Sequence, residues 1–369
     1  MTAPRQPGAD PGTREGRQTD EFTTPAPALP TTPGPAPASP PPESAAALSV
    51  QQEPGAPLPR GTVNPNPHNT PVRGMTQPVI VRPGRAAAVV RLLRPRQWIK
   101  NTFVVAPLIF SGTFIYATSV ERAIIATALF CIASSATYVF NDLTDRAADA
   151  AHPTKSRTRP IASGDITPAQ ARVLLAVLYA VVAAAALWSV DTTAVAIGYL
   201  LLNAAYTVKL KHIPVVDIFA LAGGFVLRVF CGAVAIGVPL SLWMLITTLC
   251  LALYLAAVKR RDELVATGGS ARSVLRLYTV RLLDRYAEMS ALSAVVFYGL
   301  FVITVRPGLA ITVPLVLFGL FRYWYIAESG TASESPTDAV WADIPLIATV
   351  LGWGALCAAV LLRHRFVGP

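Results

Sequence analysis

The stretch VFNDLTDRAADAAHPTKSRTRPIASGD, residues 139–165, sets Asn141, Asp142, Asp145 and Asp149 ahead of Lys155, Arg157 and Arg159. At 100° per residue, Asp145 lies about 40° from Asn141 on a helix, Asp149 about 80° and Asp142 about 100°. All four oxygen-bearing side chains then share one narrow stripe. His152-Pro153 closes the helix, because Pro has no N–H to continue the ladder. Carboxylates packed this way repel unless a cation sits among them. Hard oxygen donors with room for water and phosphate suit Mg2+, so Asn141, Asp142, Asp145 and Asp149 are the expected metal ligands, with the three Asp doing the chemistry. Lys155 and Arg159 supply charge-assisted donors from the other side. The pattern expects a Mg2+-bound diphosphate. A solvated acidic helix end is the plainer alternative; it accounts for two acids better than for three plus Asn, followed at once by basic residues.

Two further segments repeat the basic theme. YTVKLKHIPVVD offers Tyr206, Lys209, Lys211 and Asp217, and VKRRDEL offers Lys259, Arg260, Arg261, Asp262 and Glu263. For Lys209, Lys211 and Arg261, ordinary flanking of a membrane span is an equal alternative. Arg228 stands about fourteen residues inside an apolar run, roughly 21 Å along a helix, where a charge is costly and usually faces a polar cavity. It either orients a phosphate there or anchors to backbone carbonyls. Asp217, eleven residues earlier on the same face, lines the same cavity in the first case.

These charges sit in a chain of 369 residues that is 53% hydrophobic and only 14% charged, against about a quarter charged in soluble domains. Long apolar runs at roughly 99–117, 122–140, 170–188, 192–208, 214–236, 240–258, 288–305, 309–327 and 344–362 each approach the ~20 residues that cross a bilayer. The expectation is an all-α integral membrane protein with nine transmembrane helices and no strand. Residues 1–80 hold most of the 20 prolines that precede residue 84, out of 32 in all. They are expected to be a disordered tail, too poor in periodic apolar content to offset ordering entropy; the membrane domain occupies 85–369. One set of loops carries thirteen Lys and Arg and the alternate set only Arg122 and Arg306. This bias puts the charged loops and tail in the cytoplasm, although the C-terminal LLRHRF then faces outward against the trend. VVRLLRPRQWIKN, with Arg91, Arg94, Arg96, Trp98 and Lys100, reads as an interfacial helix on anionic lipid. The net charge of +10 therefore needs no nucleic acid. Cys131, Cys231, Cys250 and Cys357 are scattered without metal or disulfide spacing.

The nine-span pattern and NDLTDRAADAAHPTKSRTRPIASGDI resemble the UbiA superfamily of intramembrane transferases over residues 85–369. The resemblance implies a helical bundle around a cavity open to cytoplasm and lipid, in which Mg2+ on two Asp-rich motifs holds a prenyl diphosphate. The first motif matches as Asn141, Asp145 and Asp149. The second does not, since AAVKRRDEL stands in its place. LRPRQWIKN, YTVKLKHIPVVD, GFVLR, KRRDEL and FRYWY resemble the decaprenyl-phosphate phosphoribosyltransferase branch. That branch implies transfer of 5-phosphoribosyl from phosphoribosyl diphosphate (PRPP) to a polyprenyl phosphate, for decaprenyl-phosphoryl arabinose and cell-wall arabinan. Lys209, Arg228, Lys259 and Arg260, with Lys100, Tyr206 and Asp217 beside them, would then bind substrate. The acceptor phosphate is already anionic, so no base is needed, and the four histidines offer none. The implied setting is the cytoplasmic membrane, with lipid bilayer, polyprenyl phosphate and PRPP as partners; a homo-oligomer stays open. Two rivals differ in class. A true prenyltransferase needs a second carboxylate cluster, for which only Asp262 and Glu263 are available. A transporter would be expected to show an internal repeat, and none is evident.

Overall fold

The computed structural model describes residues 84–269, 272–329 and 343–367; the expected tail at 1–80 lies outside them. Twelve α-helices follow one another among the described residues, with no strand. They are α1 (Arg85–Leu93), α2 (Ala106–Ser111), α3 (Ala117–Thr144), α4 (Arg146–Ala151), α5 (Lys155–Thr158), α6 (Pro168–Ala184), α7 (Val190–Val208), α8 (Val216–Ile236), α9 (Leu242–Thr267), α10 (Val280–Val305), α11 (Val313–Glu328) and α12 (Ile344–Val367).

Local chemistry marks the ends. Thr167 accepts from the Gln170 amide while Gln170 accepts from the Thr167 amide, a reciprocal cap that starts α6 at Pro168. Ser189 and Thr279 cap α7 and α10 in the same sense. Gly237 and Gly268 end α8 and α9 in the left-handed conformation that a residue without Cβ adopts freely.

Among the described residues, seven helices, counting the 3-10 turns that extend α6 and α11, are long and apolar enough to cross a bilayer. The chain is a multi-pass membrane protein. Two of the nine expected spans take other forms. The run at 99–117 is broken into a 3-10 helix, Pro95–Val105, followed by α2 and a further 3-10 turn. α7 is continuous over 19 residues, but Asp191, Thr192, Thr193 and Asn203 make it less apolar than the seven. Large apolar side chains such as Ile124, Leu201, Leu292 and Phe321 are exposed on the outside, where a bilayer would solvate them.

Two of the buried clusters organise the halves of the bundle. Val104, Phe130, Val182, Tyr199 and Cys231 join the broken first segment to α3, α6, α7 and α8. Tyr254, Ala257, Tyr323 and Leu346 join α9, α11 and α12. Small residues let the first group close up: Ala123, Ala126, Ala133 and Ala136 all lie buried on α3. The tightest approach is at Gly232 on α8, where an added Cβ would stand 1.9 Å from the Val104 carbonyl oxygen. A 3-10 coil is slimmer than an α-helix, and here it runs against a glycine.

Arg228 also belongs to this joint. Its Nε donates to Asn101 Oδ1, one terminal nitrogen to the Gly224 carbonyl and the other to the Tyr199 hydroxyl, each at 2.9 Å. Tyr199 and Phe225 lie against its guanidinium face. The expectation that Arg228 orients a substrate phosphate is corrected: every nitrogen is engaged by protein, and the side chain rivets α8 to α7 and to the 3-10 segment. Gly232→Ala should therefore lower the melting temperature in detergent by at least about 3 °C, as overpacking of 1–3 kcal/mol does in a domain of this size. An unchanged melt would contradict the close approach.

Candidate active site

α3 ends at Thr144, one residue before Asp145, and α4 resumes at Arg146. The backbone ladder runs through the joint: the Asp145 amide donates to Asn141 O at 2.9 Å and the Asp149 amide to Asp145 O at 2.8 Å. Asn141, Asp145 and Asp149 therefore follow one another by single turns. His152 turns extended before Pro153 and ends the stripe.

Asp142 departs from the expected ligand set. Its carboxylate is buried and receives Arg94 at 2.7 and 3.0 Å, and Arg159 as well. Those two guanidiniums occupy its oxygens, so Asp142 anchors cations instead of ligating a metal. Among the described residues no three His, Cys, Asp or Glu side chains form a ready-made metal cage. Asn141, Asp145 and Asp149 are left.

Their donor atoms fit a hard cation. Asp149 is buried, and its Oδ2 has no hydrogen bond although an Arg159 nitrogen stands 3.0 Å away, off the bonding direction. A buried carboxylate oxygen that lacks a hydrogen bond is costly and is the kind of atom a metal cation satisfies. Mg2+ is commonly held by one or two carboxylates, with phosphate oxygens and waters completing the octahedron. Two Asp and one Asn meet that requirement.

Four cations surround the stripe. Arg159 bridges Asp142 and Asp149. Lys155 stands 3.7 Å from Asp149 Oδ1 with 41% of its side chain exposed. Lys211 is 2.7 Å from Asp145 Oδ1. Lys209, expected to bind substrate, is exposed at the end of α7; after the 3-10 turn Leu210–His212 begins, Lys211 reaches the carboxylate.

Arg94 is the fourth, and sequence reasoning assigned it to lipid. α1 instead buries Ala88 and Leu92 completely, against Val139, Ile161, Ile166 and Ala171. Arg91 pairs with Asp165 at 2.7 Å. Arg94 itself adopts φ 55°, ψ 58°, a conformation that costs a side-chain-bearing residue about 1 kcal/mol or more. That turn throws its guanidinium over the Tyr138 ring and onto Asp142. The available signal was the pair Ala88 and Leu92, four apart on a helix face, just ahead of Arg94-Pro95.

The second basic segment is mostly structural. Arg260 is fully buried and donates to Asp217 at 2.7 Å, Glu263 at 2.7 Å and Tyr206 at 2.6 Å. Asp217, also fully buried, takes a further hydrogen bond from Tyr278 at 2.7 Å. Burial, with Asp217 close by, pushes the Tyr278 phenol above its usual range, so it stays protonated and keeps donating. The same oxygen accepts from the Val215 amide, holding Val215 at φ 68°, a strained setting for a β-branched residue. The expected substrate roles of Arg260, Asp217 and Tyr206 are thus corrected: their polar atoms face one another. Lys259, one residue away, keeps 30% of its side chain exposed and is only 4.0 Å from Glu263. Lys100 is half-buried in the 3-10 segment.

The end of α7 joins both clusters. Tyr206 accepts from Arg260, while the adjacent Thr207 donates to Asn141 at 3.4 Å. Acidic stripe, cationic ring and buried hub are one polar assembly at one end of the bundle.

Residues 104–344 match the UbiA prenyltransferase family. The decaprenyl-phosphate phosphoribosyltransferase of Mycobacterium tuberculosis is 33% identical over 303 residues, covering 78% of this chain and 99% of that protein. The enzyme of the same name from Corynebacterium glutamicum is 32% identical over 284 residues, covering 73% and 85%. Among solved structures, a UbiA homologue from Archaeoglobus fulgidus bound to GPP and Mg2+ superposes with a TM-score of 0.59 at 18% identity, covering 74% of this chain and 99% of that one.

The division between hub and open cation is testable by melting. Arg260→Leu leaves Asp217 buried and unpaired, a loss of about 3–5 kcal/mol, and should lower the melting temperature by roughly 6 °C or more. Lys259→Met should leave it within about 2 °C. Equal effects of the two would contradict the assignment.

Proposed function

This chain belongs to the UbiA prenyltransferase family, and from that premise we propose that it transfers 5-phosphoribosyl from PRPP to a polyprenyl phosphate, with release of pyrophosphate. The observation that carries this reading is the one-sided distribution of carboxylates. Where a second acidic motif would bind a prenyl diphosphate, Glu263 is already paired with Arg260 and Arg272, and Asp262 lies 3.5 Å from Arg261. Only on the first stripe does a buried carboxylate oxygen of the described residues, Asp149 Oδ2, keep no hydrogen bond; one such stripe suits one metal-bound diphosphate, and Lys259 suits a simple phosphate. The long matches to decaprenyl-phosphate phosphoribosyltransferases support the same conclusion.

In this account Asp145, Asp149 and Asn141 would hold Mg2+, which would supply neutralisation of the charge developing on the leaving diphosphate. Arg94 and Arg159, fixed side by side on Asp142, direct their remaining N–H groups at donor phosphate oxygens. Lys155, the most exposed of the four cations, is positioned to meet a second phosphate. The acceptor phosphate oxygen forms the new bond to ribose C1 as the C1–diphosphate oxygen bond breaks. That oxygen is anionic at neutral pH, so no residue has to remove a proton. Lys259 orients the acceptor head while its prenyl tail stays in lipid. Orientation and fixed charge then carry most of the rate. The excess of Lys and Arg on one set of loops supports a site facing the cytoplasm of a cell membrane.

The test is a transfer assay on the detergent-purified chain with ribose-labelled PRPP, decaprenyl phosphate and either Mg2+ or EDTA. Label should enter the organic phase only with Mg2+. Asp145→Asn and Asp149→Asn should each lower kcat/KM about 100-fold or more, whereas Asp142→Asn should mainly raise the KM for PRPP. Folded protein that leaves PRPP untouched but consumes a prenyl diphosphate would overturn the proposal in favour of prenyl transfer.

A further inference from the structure

Lys211 is the one cation of the ring that approaches the most open carboxylate. Side-chain exposure is 29% for Asp145, against 1% for Asp142 and 5% for Asp149, so Asp145 is the ligand a cation from solution meets first. Lys211 Nζ lies 2.7 Å from its Oδ1, and the lysine side chain is itself only 15% exposed. A metal ligated by the same oxygen would sit at about 2.0–2.1 Å. An ammonium and a divalent cation on one oxygen repel, so a metal that takes Oδ1 drives the lysine from it.

It has somewhere to go. The ammonium carries three rotatable donors on a four-carbon stem, and a diphosphate brought in on the metal places anionic oxygens within a few ångströms of Asp145. The backbone need not move. Thr207, on the last turn of α7, is tied to Asn141, and the Leu210–His212 turn that presents Lys211 is braced by His212 at 3.2 Å from Ser273.

We propose that Lys211 is a resident counter-ion that passes from Asp145 to a donor phosphate, making metal binding and diphosphate binding depend on each other. The inference rests on the metal-bound diphosphate of the proposed function but not on the phosphoribosyl group. In this exchange the metal alone must displace an ammonium with no new partner, and the diphosphate alone meets an ammonium already engaged. Together each removes the other's obstacle. The site thereby resists holding a bare metal ion or a metal-free diphosphate. Lys211 acts as a positioning residue through this exchange of partners.

The experiment is a Mn2+ titration of the full chain in detergent, with free Mn2+ read by electron paramagnetic resonance. It is run alone and with inorganic pyrophosphate, on wild type, Lys211→Met, Lys211→Arg and Asp145→Asn. Lys211→Met should bind Mn2+ alone on the order of tenfold more tightly, the size expected for removing a partly exposed charge-assisted hydrogen bond. The factor by which pyrophosphate tightens Mn2+ should fall by about the same amount, as reciprocal coupling requires. Lys211→Arg, which keeps charge and reach, should stay near wild type; Lys211→Gln replaces the Met variant if that variant does not purify folded. An unchanged pyrophosphate factor in Lys211→Met would overturn the proposal, because a distant repulsive charge alters each affinity but not their coupling. Unchanged Mn2+ binding in Asp145→Asn would overturn it together with the metal assignment. Loss of transfer from PRPP with the coupling intact would fault only the donor.

Discussion

Asp142 is the residue on which the cationic side of the site depends. Its carboxylate is buried, which is costly without partners, and it draws them from two distant parts of the chain. Arg94 comes from the turn after α1, Arg159 from the end of α5. Each charged hydrogen bond contributes about 1.5–3 kcal/mol, enough to offset the left-handed backbone at Arg94. The same bonds hold both guanidiniums on one carboxylate, and Arg159, with Lys155, also reaches Asp149. The buried acid thus arranges cations around the ligand acids.

The second polar knot works the other way. Arg260 and Asp217 turn toward protein partners; they hold α8 against α9 and tie both to the last turn of α7. Because Tyr206 belongs to that knot and Thr207 touches Asn141, the hub sets the position of the acidic stripe from behind. Arg228 does comparable work deeper in the bundle, with an amide, a carbonyl and a phenol as partners in place of a carboxylate. Strain at Val215 and Arg94 lies at the two places where chain from outside the bundle is brought onto this assembly. In an apolar protein each buried charge must find its own compensation, and here compensation and positioning coincide.

Much of this was legible in the sequence. Single-turn spacing placed Asn141, Asp145 and Asp149 together, and Lys155 and Arg159 stand where their proximity in the chain put them. What sequence could not decide was direction around a helix for adjacent residues. Lys259 and Arg260 differ by 100°, and only packing chooses which one is buried. Asp142 was read with the stripe, but it is rotated about 60° from Asp145, enough to meet Arg94. Lys211 was not separated from Lys209 in the sequence; it reaches the stripe because α7 stops at Val208 and a 3-10 turn follows. Arg94 was missed because a short amphipathic helix looks alike whether its apolar face meets lipid or protein. The broken first span was hidden for a related reason: Pro95 and Pro107 announce irregularity, but the slim coil follows from the glycine at 232 across the joint.

The central claim is that the stripe and its ring of cations hold a metal-bound diphosphate. The most direct measurement is a density map of the purified chain with Mn2+ and PRPP. The account predicts metal density among Asn141, Asp145 and Asp149, with the diphosphate extending toward Arg94, Arg159 and Lys155. Metal or diphosphate lodged instead beside Asp262 and Glu263, with the 141–149 stripe unengaged, would contradict it.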